Sequence, residues 1–306
     1  DCGTNSIRLL VADVTPESGR LVELDRRMEI VRLGEGVDRT GRLAPEALAR
    51  TFDACKRYAD LIADLGAWRV RFVATSATRD AANRDEFARG IEGILGVAPE
   101  VVTGDEEARL SFAGATRELD DQATPYLVAD IGGGSTEFVL GTREPEATRS
   151  VDMGCVRLTE RLLRSDPPTA EEIARATAEI DARIDEVASV VPFDRARTLV
   201  GLAGSVTTVA ALALGLPEYD RDRIHRAVIP AAEVHDVTAR LLTMTRAERS
   251  ALSVMHPGRA DVIGGGALVL DRILRRVADH LAESAVLVSE HDILDGIAWS
   301  LITAAG

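Results

Sequence analysis

Apolar and polar positions along the chain alternate between strand-like and helix-like spacing, and they do so in two successive halves. The first half opens on the apolar run Ile7 to Val11. Pro45 to Leu65 then carries Leu48, Phe52, Cys55, Ala59, Ile62 and Leu65 on one helical stripe. Arg69 to Ala74 alternates and predicts a strand, Phe87 to Leu95 a helix, Val101-Val102 the end of a short strand, and Glu106 to Leu119 a further helix. The second half predicts strands over Tyr126 to Ile131 and around Glu137 to Leu140, then a helix from about Ala170 to Val190 with Pro167-Pro168 as its start signal. Thr198 to Leu202 reads as a strand running into a small-residue helix from about Val206 to Leu214. Helices follow from about Ala231 to Ala278, with a last strand at Ala285 to Ser289 and a last helix at Ile293 to Ile302.

The two halves share an internal echo. Asp1-Cys-Gly-Thr-Asn-Ser6 and Asp130-Ile-Gly-Gly-Gly-Ser135 both read D-x-G-x-x-S and then a strand. Each heads a half-chain, which suggests a duplicated domain. Hairpins followed by alternating β and α elements suit a mixed sheet flanked by helices in each half. The polar, proline-ended stretch Asp120 to Pro125 is the expected boundary, giving domains over residues 1–121 and 122–290. Because the chain opens on Asp1 inside a strand-turn motif, a few further residues are expected ahead of it.

The same loops are the first candidates for chemistry. A glycine-rich turn after a strand aims several backbone N–H groups at one point, a nest for phosphate oxygens. Gly3, Thr4, Asn5 and Ser6 form one such loop, and Gly132, Gly133, Gly134 and Ser135 the other. A plain hairpin turn favours these residue types too, but a matched pair favours the nest. Asp1 and Asp130 end the strands before the loops, at the expected mouth of a cleft. Two carboxylates facing a phosphate make sense as holders of a hard divalent cation through water. Glu137 either supplies a third oxygen or is an exposed strand position. Gly104-Asp-Glu-Glu-Ala-Arg109 opens a helix, where acidic residues either complement the dipole or offer a general base to water. Arg79, at a strand end, either clamps a phosphate or forms a surface ion pair. Gly204 and Ser205, in Gly201-Leu-Ala-Gly-Ser-Val-Thr-Thr208, make a third anion or ribose site, or simply a close helix crossing.

Composition removes other classes. A net charge of −14 argues against general nucleic-acid binding, and the longest apolar stretches are too short to cross a bilayer. Lys56 is the lone lysine, so neither a P-loop nor a protein-kinase lysine is present. Three isolated cysteines, Cys2, Cys55 and Cys155, fit reduced cytoplasmic thiols better than disulfides or a zinc site. His235-Asp236 and His291-Asp292 occur, but His225, His256 and His280 show no convergent spacing, so no histidine metal site is expected.

Together these residues resemble the exopolyphosphatase and guanosine pentaphosphatase family. Asp1 to Arg8 is similar to its first phosphate motif, Asp130 to Glu137 to its second, and Gly104-x-Glu-Glu-Ala-Arg-Leu110 to its catalytic helix start. Met153-Gly-Cys-Val-Arg-Leu158 resembles a following strand-loop, and Gly201 to Thr208 the third nucleotide-fold motif. The resemblance implies an α/β fold of two ribonuclease-H-like lobes, as in actin, Hsp70 and sugar kinases, with the last helix (about 291–306) returning to the first lobe. It implies Glu107 as the residue that activates water. It implies Mg2+ (Mn2+ as an alternative, with room for a monovalent cation) on Asp1, Asp130 and Glu137, and phosphate gripped by Arg79 and the loops. The expected substrate is inorganic polyphosphate or guanosine pentaphosphate. Longer relatives carry an additional HD-like helical region, while this chain ends at Gly306 and has Asp295 where relatives often have an Arg-Glu pair. That points to a short form acting on shorter chains, as a cytoplasmic homodimer. A kinase of the same fold and a non-catalytic guanosine penta- or tetraphosphate sensor are the competing readings.

Overall fold

The computed structural model describes residues 1–15 and 20–303. The chain divides into two compact units, Asp1–Gly114 together with residues from Ile293 onward, and Ala115–Asp292. The Asp120 to Pro125 turn thus lies inside the second unit rather than at its edge.

The first unit opens with the antiparallel hairpin β1 (Ser6–Thr15) and β2 (Arg20–Ile30). The short helix α1 (Val37–Thr40), the long α2 (Pro45–Asp64), β3 (Val73–Ala74), α3 (Ser76–Arg79), α4 (Arg84–Leu95), β4 (Glu100–Val101) and α5 (Gly104–Thr116) follow. β3 and β4 pair in parallel. Cys2 joins the two ladders, bridging Ile7 antiparallel and Ala74 parallel. Ile7, Leu33, Tyr58, Phe72, Phe87 and Ile91 fill the core. α2 and α4 cross where Gly90 meets the ring of Phe52, which lies 2.2 Å from where a Cβ would stand.

The second unit is built on β5 (Tyr126–Ile131), β6 (Thr136–Gly141) and β7 (Pro145–Val151). Next come α6 (Cys155–Leu162), α7 (Ala170–Ala188), β8 (Thr198–Leu202), α8 (Ala203–Ala213), α9 (Arg221–Ile224) and β9 (Val228–Pro230). α10 (Ala231–Thr243), α11 (Arg246–Ser250), α12 (Ile263–Val277) and β10 (Ala285–Val288) complete it. Its sheet runs β7-β6-β5-β8-β10-β9. β5, β6 and β7 are antiparallel, β8 and β10 run parallel to β5, and β9 returns antiparallel on the edge. Every residue of β5 and β6 is buried, as central strands require. α7 begins at a capping box, with the Thr169 hydroxyl on the Glu172 amide and the Glu172 carboxylate on the Thr169 amide.

The echo in the sequence is a repeat in the fold. Cys2 pairs with Ile7, and Ile131, 129 residues later, pairs with Thr136. Cys2 also bridges Ala74 in parallel, as Asp130 does Leu202. Each unit therefore follows a hairpin, a central segment and two parallel strands, the arrangement of a ribonuclease-H-like lobe. The terminal helix α13 (Ile293–Thr303) follows β10 as α5 follows β4, and it belongs to the first unit. There Ile293 and Ile297 pack with Val73 and Val102. Asp295 is buried and pairs with Arg26 on β2.

Two expected elements differ. Only Val73–Ala74 of the strand expected at Arg69 to Ala74 is paired, because a single residue, Cys2, lies beside it on the β1 side. Arg69 to Phe72 instead line a cavity of about 110 Å³ with Leu10, Tyr58 and Ile297. Met153 to Leu158 is not a strand-loop throughout: β7 stops at Val151 and Cys155 already opens α6.

Two outcomes test this packing. A Cβ on Gly296 would stand 1.9 Å from the Leu110 carbonyl oxygen, so Gly296→Ala should cost at least about 1–3 kcal/mol, read as a lower denaturant midpoint; an unchanged midpoint refutes the α5–α13 contact. Burial pushes Cys2 up to about 12 and Cys55 up to about 11, and also raises Cys155. A thiol reagent at mildly alkaline pH should therefore label none of the three in the folded protein and all of them in denaturant.

Candidate active site

Both D-x-G-x-x-S loops are closed by the same bond. The Gly3 amide donates to the Ser6 carbonyl at 3.0 Å, and the Gly132 amide to the Ser135 carbonyl at 3.0 Å. Among the described residues, the amides of Thr4 and Asn5 in the first loop and Gly133 and Gly134 in the second donate to no protein acceptor. Their carbonyls are pinned instead. Thr4 O accepts from Gly34 and Asn5 O from Val31 and Arg32. In the second unit, Gly132 O accepts from Cys155, and Gly133 O from Val156 and Arg157. The N-terminus of α6 thus spends its own orphan amides on the loop, and Arg157 Nε holds the Gly134 carbonyl at 2.8 Å. This works only because position 154 is glycine: a Cβ there would lie 2.2 Å from the Gly133 oxygen. Fixed carbonyls and unengaged amides are what an anion nest requires.

The predicted metal carboxylates fall in two environments. Asp130 and Glu137 stand directly opposite each other on β5 and β6, and both are buried, Glu137 to 1% exposure. Glu137 is therefore not an exposed strand position; Ser150 Oγ donates to its Oε1 at 2.8 Å. Like charges directly opposite on a sheet repel, and a shared divalent cation would offset that cost, finding the oxygen donors a hard metal prefers. Asp1, in the first unit, is buried against Arg8, whose Nε and Nη2 both donate to Oδ2 at 2.9 and 2.8 Å.

α5 separates its two glutamates. Glu106 faces solvent and pairs with Arg71. Glu107 is buried, and its Oε2 accepts from Arg79 Nη1 at 3.1 Å. The same Nη1 donates to the Val102 carbonyl at 3.0 Å. The predicted base and the predicted anion clamp therefore touch, and Arg79 is not a surface ion pair. Thr103 begins the helix, its Oγ1 accepting the Glu106 amide at 3.2 Å.

Gly204 and Ser205 open α8 behind Ala203, which adopts a positive φ of 69°, a strained setting for a residue with a Cβ. Gly204 carries the Arg259 guanidinium, 2.2 Å from where a Cβ would stand. Gly266 on α12 similarly makes room for Ser205 Oγ at 2.1 Å. Close crossing and a helix N-terminus coexist here. Sequence reasoning missed Arg8, Arg157, Arg259 and Gly154. Gly154 left a local signal, a glycine just ahead of an apolar-periodic run, and Arg8 stands at the end of the first motif, seven residues from Asp1; Arg157 and Arg259 lie 23 and 55 positions from the residues they meet.

Two of the histidines lie together. His225 and His291, 66 positions apart, stack with ring centroids 4.6 Å apart, and Glu118 joins them in a group whose ligand atoms lie within 4.8 Å of one another. Burial and the neighbouring His291 push His225 down to about 4. No helix among the described residues is long and apolar enough to cross a membrane.

Exopolyphosphatase 2 of Mycobacterium tuberculosis is 52% identical over 98% of this chain and 97% of the relative. A solved exopolyphosphatase-like protein superimposes with a TM-score of 0.94 at 45% identity, covering 99% of this chain and 97% of that one. A member of the Ppx/GppA protein family from Aquifex aeolicus does so with a TM-score of 0.79 at 29% identity, covering 99% and 96%. The family model described as the Ppx/GppA phosphatase family matches residues 10–303, and with the twin loops and the buried carboxylates in place the chain belongs to that family.

Proposed function

We propose that the protein is an exopolyphosphatase, releasing orthophosphate from the end of inorganic polyphosphate, with short chains preferred. The observation that carries this reading is the pair of matched loops, each presenting two undonated amides. Two nests in one chain suit a substrate that is a run of phosphate oxyanions. The name of the 52% identical relative supports the same substrate class.

In this reading, water attacks the terminal phosphorus in line and the bridging P–O bond breaks, so the shortened chain leaves. Such a transition state needs positioning and charge neutralisation more than covalent help. Glu107 orients the water and takes its proton. Arg79, already against Glu107, carries the positive charge that meets the phosphoryl oxygens, and the loop amides donate to them. Asp130 and Glu137 would hold a divalent cation, with Asp1 as a further oxygen donor acting through water. Mg2+ fits these oxygens best and Mn2+ also fits, while a monovalent cation has no assigned ligands. When bound, the metal neutralises phosphate charge as a Lewis acid. Buried free thiols support a reducing, cytoplasmic setting, and a homodimer belongs to the same reading.

The decisive assay is phosphate release with Mg2+ from short polyphosphate, long polyphosphate and guanosine pentaphosphate. Short polyphosphate should be the best substrate. Preference for guanosine pentaphosphate would move the assignment to that phosphohydrolase, and tight binding without release would make the protein a sensor. Glu107→Gln should lower turnover about 10²–10⁴-fold, and wild-type turnover would sink its role. Gly154→Ala should displace the second loop and lower turnover by about 10²-fold, the scale of a 1 Å misplacement; retention of full rate would show that the Gly133–Gly134 nest is not used.

A further inference from the structure

The second unit holds a cluster of a different chemical character from the all-oxygen carboxylates of β5 and β6. We propose that Glu118, His225 and His291 form a binding site for a transition-metal ion of the zinc class. Three separate segments converge on it. Glu118 lies just past the C-terminal end of α5, His225 ends α9, and His291 lies between β10 and α13. One carboxylate and two imidazoles, with ligand atoms within 4.8 Å of one another, make the ligand set.

Donor chemistry selects the metal. Imidazole nitrogen suits zinc, copper, nickel and cobalt, whereas Mg2+ prefers oxygen alone. Two histidines and a carboxylate leave the fourth tetrahedral position open to water. Bonds of about 2.0–2.2 Å place neighbouring ligand atoms roughly 3–3.5 Å apart, so rotation of the side chains through about an ångström closes the set. Glu118 is exposed and His291 and His225 are half-buried, which leaves an entry path from solvent. A histidine must be neutral to ligate, and the site keeps His225 so.

Other groups face the cluster and set its strength. Arg226 lies 3.8 Å from Glu118 Oε2 and also holds the Glu118 carbonyl, so metal must displace a guanidinium. The Glu290 amide donates to His225 Nδ1 at 3.2 Å, and metal on His225 competes with that bond. Both exchanges weaken binding below that of a preformed structural zinc site, so binding is reversible. Glu290 also accepts from Tyr219, whose oxygen in turn accepts from the Thr207 hydroxyl on α8 at 2.7 Å. Occupancy is thereby linked to the first turns of α8.

The test is calorimetric titration of the full chain with Zn2+ in excess Mg2+, paired with Co2+ as a paramagnetic probe of the histidine resonances. One equivalent should bind, Mg2+ should not compete, and Co2+ should broaden His225 and His291 while sparing His280. His291→Ala should weaken Zn2+ binding about 100-fold, the upper end of what even supporting residues of a metal site contribute, and His280→Ala should leave it unchanged. Glu118→Gln, at an exposed position, should weaken it as well and decides the matter if a histidine variant melts abnormally without metal. Absence of Zn2+ binding in the wild type, or unaltered binding in Glu118→Gln and His291→Ala, overturns the proposal.

Discussion

One backbone hydrogen bond, made twice, organises this molecule. A glycine amide reaches the carbonyl of the serine three residues on, and that closure leaves the intervening amides with no protein acceptor among the described residues. Everything around the loops serves to keep the carbonyls occupied. In the second unit the work falls to the first turn of α6 and to Arg157. In the first it falls to the Gly34 amide and to Val31 and Arg32. Different elements have thus converged on the same electrostatic result, which is what a duplicated fold would be expected to preserve after its sequences diverge.

Much of the fold was legible because its signals are local. Pro45 to Leu65 shows a stripe, Tyr126 to Ile131 a run of apolar residues, and Pro167-Pro168 a start, and each became the expected element within a residue or two. The failures share a physical cause. Arg69 to Phe72 has strand-like spacing but no ladder partner, and spacing cannot report pairing. β2 carries so many charges that its pattern looks like solvent-facing loop, although it pairs with β1 along its length save for the register shift at Leu24.

The candidate site was legible where chemistry and spacing coincide, as in Asp130 to Glu137. It was illegible where a residue acts through another segment. Arg259 reaches Gly204 from 55 positions away, and Glu118 meets His291 from the far side of the second unit's chain. Glu106 and Glu107 are equivalent as letters; only burial and the choice between Arg71 and Arg79 separate them. Asp295, noted in the sequence only as a departure from relatives, is in the structure a buried partner of Arg26 on β2.

The placement of α13 has a consequence for how the protein is made. Its Gly296 sits against Leu110, and its apolar face completes the core around Val73 and Val102. The amino-terminal unit therefore leaves the ribosome first yet lacks a wall until the closing helix is translated. At about 5–20 residues per second, the roughly 180 residues of the second unit interpose some 10–35 s. During that interval the surface awaiting α13 is exposed, and a nascent chain of this kind is a natural client for a chaperone that shields apolar faces on the emerging polypeptide.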